Sequence, residues 1–127
     1  MKERENFNTS KAPQMSKVFP QAVIAGKFIF LSGTPGLDLK SGQVISDSFE
    51  EQTRQSFENI KIILAEAGSS LSKVVKTTIF MVTGNDFGII NKVYSEFFPE
   101  NPPARSTPQV MPFPAGILIS VECIALL

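Results

Sequence analysis

Apolar residues recur along the chain with two different periods. Between positions 49 and 67, Phe49, Thr53, Phe57, Ile60, Leu64 and Ala67 return every three or four residues and share one helical face. Ser48 and Glu51 fit a capping box, in which each side chain satisfies a free amide at the helix start. Gly68 follows, where a left-handed residue ends a helix well. A shorter helical repeat, Phe87, Ile90, Tyr94 and Phe97, comes after Asn85 and Asp86, either of which suits an N-cap. It stops before Pro99, since the residue preceding a proline resists helical geometry.

Elsewhere the pattern predicts strands. Gln21–Gly33 reads as two short apolar strands with a turn at Ala25–Gly26. Lys73–Thr83 is dense in β-branched residues. A strand is predicted through Ala104–Val110, then a turn over "MPFPAG", then a long closing strand, Ile117–Leu127. The order strand, strand, helix, strand, helix, strand, strand predicts one α+β domain spanning residues 1–127, a mixed β-sheet with two helices packed on one face. In the last strand Ile117, Ile119, Val121, Cys123, Ala125 and Leu127 alternate with Leu118, Ser120, Glu122, Ile124 and Leu126. Both sets are largely apolar, which predicts burial of both faces. Two helices cover one side of the sheet, so the other side calls for a partner. A second copy of the chain is the simplest one, and a homo-oligomer is expected.

Composition narrows the chemistry. Twelve basic and twelve acidic residues cancel, so no chain-wide attraction to nucleic acid or anionic lipid is expected. There is no histidine and one cysteine, Cys123. This excludes an intrachain disulfide, a Cys–His or Ser–His pair within one chain, and the usual Cys/His zinc site. Carboxylates, lysines and the lone tyrosine, Tyr94, remain for proton transfer. The opening "MKERENFNTSK" lacks the apolar core of a secretory signal, and no apolar run is long enough to span a bilayer. A soluble, cytoplasmic protein is expected.

Three places then invite a functional reading. In "NPPARSTPQV" two prolines restrict the approach to Arg105, and alternation puts Arg105 and Thr107 on one side. A guanidinium there suits a carboxylate, which it grips with two parallel hydrogen bonds. The alternative is a solvated or salt-bridged arginine. Glu122 sits mid-strand among Leu118, Ile124 and Leu126, where a carboxylate loses hydration and suits a general base. The alternatives are a structural ion pair, with Arg105 itself for instance, or an open strand edge. In "FLSGTPG", Ser32 and Gly33 lie where a strand ends, and glycine lets a ligand approach the backbone. A plain strand exit is the alternative. The fragment is not a P-loop, because the lysine and hydroxyl of that motif are missing. Cys123, facing away from Glu122, and Tyr94, on the apolar stripe of its helix, read as core residues.

Taken together, "FIFLSGTPGLD", "QTRQSFENIKIILAEAG", "VVKTTIFMV", "NDFGIINKVYSEFF", "PPARSTPQV" and "ISVECIA" resemble the YjgF/RidA family of reactive enamine/imine deaminases. The resemblance implies a chorismate-mutase-like α+β fold, a homotrimer with clefts between subunits, and no metal or organic cofactor. It implies hydrolysis of 2-imino acids such as 2-iminobutanoate and 2-iminopropanoate to 2-oxo acids and ammonia. It also implies roles: Arg105 grips the substrate carboxylate, Glu122 directs water, and Ser32, Gly33 and Asn91 line the pocket. Two positions depart from the deaminase pattern. Phe19 stands for a tyrosine, with Lys17 and Val18 before it, and Thr107 stands for a cysteine. A non-catalytic binder of small carboxylates is therefore a second expectation. RNA cleavage or translational inhibition, which the family's older names suggest, is a third and fits the zero net charge least.

Overall fold

In the computed structural model, which describes residues 3–127, the long helical repeat becomes α1, Phe49–Glu66, and the shorter one α2, Phe87–Phe97. Ser48 caps α1 by accepting from the Glu51 amide at 3.2 Å, and Asp86 caps α2 by accepting from the Gly88 amide at 2.8 Å. The reciprocal half of the capping box does not form. The Ser46 hydroxyl takes both partners, accepting from the Ser48 amide and donating to the Glu51 carboxylate. Gly68, at φ +88°, ends α1 as expected.

The strands are β1 (Arg4–Phe7), β2 (Ala22–Ala25), β3 (Phe28–Pro35), β4 (Val74–Val82), β5 (Ala104–Ser106), β6 (Gln109–Val110) and β7 (Ile119–Leu126). They form one mixed sheet in the order β1-β2-β3-β7-β4-β5, with β6 continuing beside β4. β5 and β6 run parallel to β4, and the remaining pairings are antiparallel.

Three differences from the sequence reading have physical causes. β1 is an edge strand of polar residues held by main-chain pairing to β2, so it carries no apolar alternation. The strand expected over 104–110 breaks at Thr107–Pro108, because proline supplies no amide to the ladder. β7 begins at Ile119 rather than Ile117, because the Leu118 amide is drawn to the Gln52 side chain instead of the sheet. The β2–β3 turn also sits one residue later, on Gly26 and Lys27.

Both helices cover one face. There Ile29, Leu31, Ile79, Met81, Val121 and Ala125 meet Phe57, Ile60, Ile63, Leu64, Ile90 and Val93, all nearly or fully buried. Burial pushes the Cys123 thiol up to about 12, which keeps it a neutral core residue. The opposite face carries Phe28 and Phe30 beside their cross-strand partners Leu126 and Ile124. Phe28, Phe30 and Leu126 remain 39–41% exposed. In the single chain, therefore, only one side of β7 is covered.

α1 also presents a buried polar stripe, Gln52, Ser56 and Asn59, to the loops around the sheet. Gln52 donates to the carbonyls of Ser46 and Gly116 and accepts from the Leu118 amide at 2.9 Å. Ser56 donates to the Thr34 carbonyl, and Asn59 donates to those of Pro35 and Leu37. Gly36 permits this contact, since a Cβ there would collide with the Gln52 backbone. These bonds fix both the exit of β3 and the entry to β7. Gln52→Ala leaves buried backbone groups without partners and is expected to cost about 2 kcal/mol or more of stability. Urea unfolding measures it; an unchanged midpoint would remove Gln52 from the framework.

Candidate active site

The sheet register decides where the chemistry lies. Arg105 pairs with Thr77, whose side chain points to the helix face and hydrogen-bonds Tyr94 of α2 at 2.8 Å. The Arg105 guanidinium accordingly rests on the Tyr94 ring, 4.8 Å from its centroid, with the Phe87 ring at 5.6 Å. Its Nε donates to Thr107 Oγ1 and its Nη2 to Asn91 Oδ1, each at 2.8 Å. Arg105, Thr107 and Asn91, expected to act together, are thus in one cluster.

Arg105 is half-buried, and among the described residues no carboxylate lies within ion-pair distance of it. A guanidinium has five N–H groups. Two are engaged by neutral oxygens, which leaves both protons of Nη1 and one of Nη2 without a side-chain acceptor among the described residues. The residues that shape this cradle are Phe87, Asn91 and Tyr94, spaced four and three apart on one face of α2. The stripe read from the sequence held Phe87 and Tyr94 but not Asn91; Tyr94 is a core residue as expected, and its ring also carries the guanidinium.

Glu122 lies on the other face of the sheet, opposite Thr78 of β4. On its β3 side the register jumps: Leu31 pairs with Cys123 and Thr34 with Val121. Ser32 and Gly33 therefore share the single position opposite Glu122, a β-bulge that re-aims the strand. The Ser32 hydroxyl donates to the Pro20 carbonyl at 2.7 Å, tying down the segment that carries Phe19. Gly33 has the Ser120 hydroxyl against it, so close that a Cβ would stand 2.6 Å from the oxygen. Phe19, Gly33 and Ser120 border one cavity, while Glu122 borders a second with Lys76 and Thr78. Lys17 and the highly exposed Val18 lie outside both.

The expected residues therefore form two clusters, not one. Arg105, Asn91 and Thr107 occupy the helix side at the β5 edge, and Ser32, Gly33, Phe19 and Glu122 surround the open side of β3 and β7. An Arg105–Glu122 ion pair within the chain is absent, because the two side chains leave opposite faces. Among the described residues no three His, Cys, Asp or Glu side chains gather as a metal cluster, and no helix is long and apolar enough to cross a membrane.

The sequence profile of the endoribonuclease L-PSP family matches residues 9–127. The chain belongs to this family, YjgF/RidA. A RutC family protein of Pyrococcus abyssi is 43% identical over 122 residues, 96% of each chain. The 2-iminobutanoate/2-iminopropanoate deaminase of Rattus norvegicus is 39% identical over 122 residues, covering 96% of this chain and 89% of its own. The crystal structure of E. coli TdcF with bound serine has a TM-score of 0.89 at 32% identity, covering 97% of this chain and 98% of that one. The YjgF/RidA fold accounts for the architecture above: a mixed sheet with both helices on one face.

Tyr94 offers a direct test of the arginine cradle, since the chain has one tyrosine and no tryptophan. Burial pushes its phenol above the ordinary 10.0, against the opposing pull of the Thr77 hydrogen bond and the Arg105 charge. The folded state holds this proton longer than the unfolded chain does, so the associated stability is complete below about pH 10 and is lost above it. Absorbance titration should place the folded midpoint above the urea-unfolded one. Arg105→Met removes the neighbouring cation and should move the folded midpoint higher still. A midpoint indifferent to this substitution would mean the guanidinium does not sit on the ring.

Proposed function

We propose that the protein is a cofactor-free hydrolase that converts 2-imino acids to 2-oxo acids and ammonia, in a cleft between copies of the chain. The observation that carries this reading is the half-buried Arg105, held by two neutral oxygens and two aromatic rings with an outward fork of donors still available. A fork so oriented matches a carboxylate. The rat relative's name supplies the substrate class, 2-iminobutanoate and 2-iminopropanoate. The serine bound to TdcF is likewise a small α-amino acid with a carboxylate.

The two clusters lie on opposite faces of one sheet, so a single chain does not close a site around one small molecule. The uncovered apolar face of Phe28, Phe30, Ile124 and Leu126 supplies a surface on which a second copy packs. A homotrimer, with the Arg105 cluster of one subunit facing the Glu122 cluster of the next, satisfies both requirements.

In that cleft Arg105 binds the carboxylate and Glu122 takes a proton from water as the oxygen attacks the imine carbon. That proton passes to nitrogen to give the carbinolamine, the hydroxyl proton then passes through Glu122 to the same nitrogen, and the C–N bond breaks as the C=O forms, releasing ammonia and a 2-oxo acid. Water adds across C=N and ammonia departs, so atoms balance. Positioning plus one general base is what the step needs. Thr107 and Asn91 hold the guanidinium, and the Ser32–Gly33 bulge borders the space beside the carboxylate. Thr107, where the deaminase pattern has cysteine, takes part through its hydroxyl, which accepts from Nε.

The test generates 2-iminobutanoate with an amino-acid oxidase and traps unreacted imine with semicarbazide. Micromolar protein should lower the trapped fraction. Undiminished trapping, with 2-oxobutanoate still binding, would leave a non-catalytic carboxylate binder. Arg105→Ala should abolish the effect, a loss of about 10²-fold or more, while the oligomer persists on size exclusion. Glu122→Gln should reduce kcat by about 10²-fold with KM little changed. Equal losses in both constants would count against the general-base role.

A further inference from the structure

Glu122 has a different neighbour on each side in the sheet. On the β3 side it faces the Ser32–Gly33 bulge, where the Ser32 hydroxyl already gives its proton to the Pro20 carbonyl. On the β4 side it faces Thr78 in regular antiparallel register. Residues directly opposed on one face stand with their Cβ atoms about 4.5–5.5 Å apart, and diagonal neighbours about 7–8 Å apart, within reach of a long side chain. Lys76, which pairs with Ile124, is the diagonal neighbour of Glu122. Lys76, Thr78, Glu122 and Ile124 all border one cavity of about 300 Å³ on the face that the helices leave open.

Lys76 is half-buried, and its ammonium turns along β4 toward Glu122. It donates to Thr78 Oγ1 at 3.1 Å and to the Thr77 carbonyl at 3.3 Å. An ammonium has donors and no acceptor, so the direction of the first bond is fixed and Thr78 is its acceptor. A hydroxyl that accepts from a cation still has its own proton to give, and the charge makes that proton a stronger donor. Threonine is stiff at χ1, so the donor is also held in place. Among the described residues Glu122 has no cation within ion-pair distance, and neither has Lys76 a carboxylate.

We propose that Thr78, with its hydroxyl oriented by Lys76, is the positioning residue of Glu122: it donates to the carboxylate oxygen on the β4 side and leaves the other oxygen for the attacking water. The proposal rests on the hydrolase reading above and adds to it the two residues that aim its general base. A glutamate side chain is rich in rotamers, and a carboxylate without an anchor spends much of its time misdirected. Placement to within about 1 Å decides the rate of such a step. Neither Thr78 nor Lys76 gives up a proton in the cycle. Glu122 alone takes protons from oxygen and passes them to nitrogen, and the Thr78 bond, stronger to a carboxylate than to a carboxylic acid, holds it in line for the next transfer.

The experiment is a double-mutant cycle on Thr78 and Lys76, read by semicarbazide trapping of 2-iminobutanoate. Thr78→Val keeps the shape and removes the hydroxyl, and should lower kcat by about tenfold or more with KM little changed. Thr78→Ser keeps the hydroxyl and should stay within about threefold of the wild type. Lys76→Met should also lower kcat, and the double variant should fall no further than the worse single one, because Lys76 acts through Thr78. A readout independent of turnover is NMR of protein labelled at the glutamate carboxyl carbon, with Glu122→Gln identifying the Glu122 resonance by its loss. Thr78→Val and Lys76→Met should both shift that resonance, and Thr78→Ser should leave it near its wild-type position. Full kcat in Thr78→Val, an equal loss in Thr78→Ser, additive losses in the double variant, or a resonance that Thr78→Val leaves unmoved overturns the positioning role while the hydrolase reading stands. A wild-type protein that hydrolyses no imine, yet whose Glu122 resonance responds as expected, overturns the hydrolase reading and leaves Thr78 as the anchor of the carboxylate.

Discussion

The site depends on a cation kept in a half-buried place without a counter-ion. Removing a guanidinium from water is costly unless its donors are met, and a carboxylate partner is the usual remedy. Here the remedy is neutral. Thr107 and Asn91 accept two hydrogen bonds, and the faces of Tyr94 and Phe87 offer their negative quadrupoles. That arrangement compensates part of the lost hydration and leaves the charge itself unneutralised. In the proposed function an anionic ligand completes what the fold leaves incomplete. An internal glutamate in the same position would have made Arg105 a structural residue. The sheet keeps Glu122 from that position, because its side chain leaves the opposite face.

Much of this was readable in the chain. The two helices follow from periodic apolar positions and from Ser48 and Asp86 at their starts. The pairing of Arg105 with Thr107 follows from simple alternation, and the family likeness from motifs spread along the whole length. What escaped reading has one physical character: it depends on polar groups whose partners are remote in sequence. The bulge at Ser32–Gly33 is defined by the register against β7, some ninety residues away, and no local pattern encodes it. The stripe of Gln52, Ser56 and Asn59 belongs to no apolar period, yet it is buried because the loops bring carbonyls to it. β1 has no apolar signature because an edge strand is held by backbone bonds.

Those remote polar contacts are also what links the helices to the chemistry. α2 positions the cation through Tyr94 and Asn91. α1 positions the opposite cluster through Gln52, which fixes the entry to β7, and through Asn59 and Ser56, which fix the exit of β3. Each helix therefore serves one cluster, and the close packing of Phe57 against Tyr94 and Phe97 keeps the two helices, and so the two clusters, in a fixed relation. Apolar packing supplies the rigidity, and the buried amides convert it into placement.

Splitting Arg105 and Glu122 between two faces has a consequence for assembly. Within one chain Arg105 and Glu122 leave opposite faces of the sheet, so under the proposed function an isolated subunit holds two incomplete halves. The exposed Phe28, Phe30 and Leu126 give the same subunit a reason to associate that is independent of ligand, since apolar area is removed from water whether or not the cleft is filled. Under the proposed function, association driven by that face, with chemistry at the seam, ties activity to oligomer formation without any further switch. The strength of the tie is set by geometry alone: β7 presents Glu122 and Ile124 on the same side two residues apart, so whatever packs on Ile124 and Phe30 also brings its own edge to the carboxylate.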